Sequence, residues 1–96
     1  MTRGVTFHFR LYTAEGTQNS AQALANLTAL CKQHLAGRFE IDIVDVLSHP
    51  ERALADGIRM TPALVKLSPA PVCRIVGTLS KPRAVLVALG LDVMAA

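Results

Sequence analysis

The first apolar pattern in the chain has period two. Val5, Phe7, Phe9 and Leu11 alternate with Thr6, His8, Arg10 and Tyr12. This predicts a strand with one strongly apolar face and places His8 and Tyr12 on its polar side. The next pattern has the helical period. Leu24, Leu27, Cys31 and Leu35 recur at spacings of three and four, with Ala23 and Leu30 widening the stripe, so a helix runs to about Leu35. One of Thr17, Asn19 and Ser20 caps its first turn, and Gly37 is its natural stop. Period two returns at Phe39, Ile41 and Ile43, set against Glu40 and Asp42, and the apolar run continues to Leu47. That is a second strand. Ser48-His49-Pro50-Glu51 has capping-box spacing, with Ser48 as cap and Glu51 reaching back, and opens a short helix ending near Asp56-Gly57.

Pro62 then opens a third strand, Ala63-Leu64-Val65 and onward to Lys66. The residue before a proline is pushed out of the helical region, so Thr61 is extended, and a proline suits the first position of a strand. A proline-punctuated turn, Leu67 to Pro71, separates this strand from a fourth, Val72 to Val76. So short a connection makes the last two strands antiparallel. Ser80 caps a final helix with Pro82 in its first turn, followed by Ala84 to Leu91, and Val85, Leu86, Leu89 and Val93 form its stripe. The β-branched Val85, Val87 and Val93, together with Gly90, weaken that helix, so this last third is the least decided and can be persuaded into a strand.

The order βαβαββα describes one α/β domain, residues 1–96, of the thioredoxin-like type, with its first two strands parallel through a right-handed crossover. Only about 5–6% of X–Pro bonds in folded proteins are cis, so local sequence alone favours a trans Pro62. A helix, a loop and Thr-Pro entering a central strand is nonetheless the arrangement in which thioredoxin-like folds carry a cis proline.

Composition narrows the function classes. Half of the residues (51%) are hydrophobic, enough for a single core without staples. Ten basic residues against seven acidic ones give a net charge of +3, but the basic residues are scattered and read as solvated charge, with no stripe for nucleic acid. No apolar run reaches membrane-spanning length, and the N-terminus lacks the apolar region of a signal peptide, so the expected location is the cytoplasm. Cys31 and Cys73 form neither a CxxC pair nor a metal spacing and read as free, buried or half-buried thiols. The junction between the loop Thr13 to Ser20 and the first helix is where a thioredoxin carries its two redox cysteines, and it holds none. Thiol–disulfide exchange needs an attacking thiolate, so no catalytic site is expected. A lone Gly16 matches no phosphate-binding motif, and no cofactor is expected. Glu40 and Asp42 share one face of the second strand while Asp45 projects to the other, a pattern that fits protection of a sheet edge better than catalysis.

Leu11-Tyr12, Thr17, Asn19-Ser20, Ala23-Leu24, Val44 to Leu47 with Pro50, Thr61-Pro62 and the run Pro69 to Ser80 together resemble the KaiB family, over almost the whole chain. The resemblance implies a non-enzymatic protein that binds a ring-shaped KaiC-type ATPase and modulates its phosphorylation cycle. It also implies likeness to the sensor domain of a clock-output histidine kinase, and hence a link to a kinase pathway. The family's members self-associate, one state being a tetramer of order βαββααβ and the other a thioredoxin-like monomer that binds the ATPase. On this resemblance the partner-binding residues are Gln22, Arg38, Glu40 and Asp42. The residues of the fold switch are Pro62, Pro69, Pro71, Ala88 and Gly90. Glu15, Gln18, Ala70, Glu40 and Asp42 depart from the cyanobacterial pattern, which suggests a relative from outside the cyanobacteria and counts against KaiA binding. The alternatives are a thioredoxin-like oxidoreductase, opposed by the missing cysteines, and a ligand-sensing domain of a kinase.

Overall fold

Strand β1 (Phe7–Thr13) is an inner strand of a four-stranded sheet ordered β2-β1-β3-β4. The structure, a computed structural model, describes residues 5–91. Strands β2 (Phe39–Asp45) and β4 (Cys73–Val76) form the edges, and β3 (Ala63–Ser68) lies inside. β1 and β2 are parallel, which requires the crossover supplied by helix α1 (Gln18–His34). β3 is antiparallel to both β1 and β4. Helices α2 (Pro50–Ala55) and α3 (Pro82–Ala88) complete the predicted order. Val93, placed by the sequence in the last helical stripe, lies outside the described residues.

The period-two side chains sort the molecule into two cores. Phe7, Phe9 and Leu11 meet Ala23, Leu27, Leu30, Cys31 and Leu35 of the α1 stripe and its cap, with Val85 and Leu89 at α3. Tyr12, Val44, Ala63 and Val65 meet Ala53 of α2 on the opposite face. So α1 and α3 cover one side of the sheet and α2 the other. At the end of β1 that α2 covers, the second face is buried too, while His8 and Arg10 farther along the strand stay only partly buried. For that reason Tyr12, expected on a polar side, is fully buried, whereas Val5 precedes the strand and is exposed.

Thr17 is the cap of α1, its hydroxyl accepting from Ser20 N–H, and Gly37 takes a left-handed φ of 73° just beyond the helix. Three other expectations need correction. Ser48 does not cap α2. His49 occupies that position without a side-chain bond, because Ser48 Oγ is drawn to the Asp45 carboxylate, 3.0 Å away. Asp45 ends β2, so Val46 and Leu47 turn instead of extending the strand. Ser80 does not cap α3 either: Lys81 stands there, without a side-chain cap, and Pro82 is the first helical residue.

Gly90 was expected to weaken the interior of the last helix, but α3 ends at Ala88. Gly90 follows the C-cap Leu89 at φ 77°, where a glycine avoids the Cβ clash of the left-handed region. The Thr61–Pro62, Ser68–Pro69 and Ala70–Pro71 bonds are all cis. Pro62 therefore follows the thioredoxin-like arrangement and not the local trans preference. Lys66, counted among the solvated charges, is only 4% exposed, because its ammonium has partners under α3.

Candidate functional site

A groove of about 420 Å³ runs between the start of α1 and the edge strand β2. Leu24 and Ile43 line it, with Ala21 from α1 and the loop Ala14 to Gln18 at its mouth. Ile43 is 50% exposed although it sits in the apolar phase of β2, since α1 does not reach over the edge there. The loop is held by a compact set of bonds. Thr17 Oγ1 donates to Ala14 O at 2.7 Å, and Ala14 N–H donates to Ser20 Oγ at 2.9 Å. Asp45 ties this loop to the next one: Oδ1 accepts from Glu15 N–H at 3.1 Å and from Leu47 N–H at 3.3 Å, while Oδ2 accepts from Ser48. These bonds, the one from Glu15 foremost, hold the Asp45 carboxyl below the usual carboxylate range.

Across the sheet from the groove, on the α2 face, lies a network of charge. Asp42 Oδ2 accepts from Arg10 Nε at 3.1 Å and from Arg52 Nη2 at 2.8 Å. Arg10 Nη1 also donates to Asp56 Oδ2 at 3.1 Å, and the Tyr12 hydroxyl is bonded to the same carboxylate oxygen and lies 3.1 Å from Arg52 O. Burial would raise the Asp42 carboxyl, but the two arginines outweigh it and hold it low. Asp56 is held low, first by Tyr12 and then by Arg10. Tyr12 is pushed up by burial and then by Asp56. Arg10 remains firmly cationic, since its carboxylate bonds outweigh its desolvation.

Of the four residues assigned to partner binding, three cluster at β2. Glu40 is the most open, its side chain 73% exposed and Oε1 3.4 Å from His8 Nδ1. Asp42 is committed to Arg10 and Arg52. Arg38 Nη1 donates to Val5 O at 3.1 Å, so that guanidinium fastens the approach to β1. Gln22 is exposed on α1, on the opposite face of the sheet from Glu40 and Asp42, with the β2 edge between them. Sequence reasoning missed Arg10, Arg52 and Asp56. The only available signal was that Arg10 and Asp42 each lie in the polar phase of a strand, and their meeting depends on the Arg10↔Asp42 register.

Cys31 gives thiol chemistry poor footing. Cys31 is fully buried and its thiol is pushed up to about 11 by desolvation, so it is protonated at neutral pH. Among the described residues no group of three His, Cys, Asp or Glu side chains is placed to hold a metal ion, and no helix is long and apolar enough to cross a membrane.

The KaiB domain model matches residues 10–91. The chain belongs to the KaiB family. This KaiB-family chain is 40% identical over 85 residues to the circadian clock protein KaiB3 of Synechocystis sp., covering 88% of this chain and 81% of that one. It is 41% identical over 86 residues to the circadian clock oscillator protein KaiB of Prochlorococcus marinus, covering 90% and 72%. In fold it is similar to the N-terminal domain of Synechococcus elongatus SasA, with a TM-score of 0.75 at 15% identity, covering 97% of this chain and 91% of the other. It is likewise similar to chloroplastic thioredoxin z, with a TM-score of 0.74 at 17% identity, covering 91% and 79%. The fold of this KaiB-family chain is thus thioredoxin-like, and its family is one of circadian clock proteins.

Proposed function

We propose that this protein is a non-enzymatic regulator that binds a KaiC-type ATPase in its thioredoxin-like state, through the β2 edge and the start of α1. The observation that carries this reading is the family match over residues 10–91, joined to an open sheet edge with an apolar groove beside it. An edge strand presents unpaired backbone groups, and Ile43 adds exposed apolar area to them. Glu40 supplies an exposed negative charge on that edge, so the partner's matching patch is basic. The direct test is co-elution with a KaiC-type ATPase from the same genome. Glu40→Lys should then weaken the complex about tenfold or less, mainly in on-rate and most strongly at low salt. Stopped-flow association rates across a salt series check this. Rates indifferent to the reversal at low salt would remove Glu40 from the surface.

The same reading includes exchange of the C-terminal half between two pairings, with the oligomer favouring one and the partner the other. Pro62, Pro69, Pro71 and Gly90 bracket the segments that would rearrange. Ala88 is the last residue of α3, and alanine favours helix over glycine by up to about 1 kcal/mol. Ala88→Gly should therefore lower the population of α3 and raise the oligomeric fraction. Backbone NMR shifts for Val85 to Leu91, recorded with light scattering over a concentration series, read both quantities. One unchanged set of shifts at every concentration, with and without the ATPase, counts against the exchange.

A further inference from the structure

The end of a helix leaves four carbonyls without partners inside the helix. At α3 all four are answered. Leu91 N–H donates to Leu86 O at 2.8 Å, and Gly90 N–H donates to Val87 O at 3.0 Å. This pair of bonds is the glycine-terminated pattern that residue 90 permits. The other two partners come from the sheet. Cys73 Sγ lies 3.5 Å from Ala88 O, and Lys66 Nζ donates to Leu89 O at 3.3 Å. Lys66 and Cys73 are direct cross-strand partners in the β3–β4 ladder, so their side chains stand next to each other beneath the last turn. The Lys66 ammonium also lies 5.7 Å from the centre of the Phe7 ring, which favours a cation there. A positive charge at a helix C-terminus is favoured again by the helix dipole. By contrast, the other end of α3 has no side-chain cap.

We infer that Lys66 and Cys73 form a two-pronged latch that sets how often α3 leaves the sheet. The inference rests on the reading of α3 as an element that exchanges, and it names a control within the chain. The prongs are unequal. The ammonium makes a charge-assisted bond, whereas a thiol is a weak donor, so Lys66 carries the larger share. Opening the latch returns the Ala88 and Leu89 carbonyls to water and lifts the Val85 and Leu89 side chains out of the core they share with Leu64. Removing a donor while α3 stays docked leaves an acceptor unanswered, which favours the open form.

The test is native-state hydrogen exchange on the full chain, read at the Leu89, Gly90 and Leu91 amides, with the Leu11 amide in β1 as reference. Lys66→Met keeps the bulk of the stem and removes the donor. It should speed exchange at the three amides that close α3 about tenfold, a change of about 1.4 kcal/mol, and leave Leu11 unchanged. Cys73→Val should speed the same amides about twofold, and Lys66→Arg should restore slow exchange. Should Lys66→Met fail to fold, Cys73→Val and Lys66→Arg still read the latch. Exchange at α3 that is unchanged, or that rises equally at Leu11, overturns the latch. Affinity for the ATPase is measured separately. Variants that open α3 yet bind the ATPase as before uphold the latch and overturn only the exchange reading of the function.

Discussion

Leu27→Ala should lower the unfolding free energy by about 3 kcal/mol, a large part of what a small domain possesses. Leu27 is fully buried in the middle of the α1 stripe, in the core shared with Phe9, Leu11 and Leu64. The chain has no Trp and three Phe, so that core is built largely from leucines. The lost isopropyl group leaves a cavity that neighbouring leucines on two helices and a sheet cannot collapse to fill. Val65→Ala, under the short α2, removes one carbon fewer and should cost less. Urea denaturation of both variants gives the comparison through shifted midpoints at a constant slope. A smaller loss for Leu27 than for Val65 would contradict the division of the molecule into a major core beneath α1 and α3 and a minor one beneath α2.

Asp56→Ala should cost about 2 kcal/mol, because the Tyr12 hydroxyl and the Arg10 guanidinium lose an acceptor at a half-buried site. Asp56→Asn retains an acceptor and should cost less. The pH profile tests the same network. Asp42 and Asp56 have folded values below their unfolded ones, so their contribution is complete above about pH 4 and disappears as pH falls through the folded values. Tyr12 has a raised folded value, so its contribution is present below about pH 10 and disappears as pH rises through that value. Stability should form a broad plateau between the two limbs. Asp56→Ala should shrink the acid limb markedly but the alkaline limb only in part, because burial is the larger cause of the Tyr12 shift. Equal acid limbs in the wild type and the variant would mean that Asp56 is not engaged in solution.

Local signals were enough for the element order. The cap candidates Thr17, Asn19 and Ser20, the Leu27–Cys31–Leu35 stripe and Gly37 mark both ends and the buried face of α1 from local sequence alone, and the structure selects Thr17 as the cap. Tyr12 shows where local signals fail. Alternation along β1 identifies one apolar face, but whether the second face is also covered depends on α2, some forty residues away. The expected cap of α2 failed for a related reason. Ser48 has the right spacing to cap, yet Asp45, three residues earlier, competes for the same hydroxyl. Lys66 looks like surface charge in sequence and becomes interior only when α3 brings Leu89 O to it. At the candidate site, Glu40 and Asp42 were visible as a pair on one face. Their difference was not, since Asp42 acquires Arg10 through strand register and Arg52 through the placement of α2, leaving Glu40 as the open charge.

Asp45 has a practical consequence for anyone modifying the molecule. One carboxylate gathers Glu15 N–H from the first loop and Leu47 N–H and Ser48 Oγ from the next, so both loops hang from a single peg at one end of the sheet. An insertion, affinity tag or fluorophore in either loop would pull on the other and distort the groove mouth. The β3–β4 tip at Ala70 and Val72 is exposed and lies outside this arrangement, which makes it the sounder attachment point for a reporter that must leave the β2 edge free to bind.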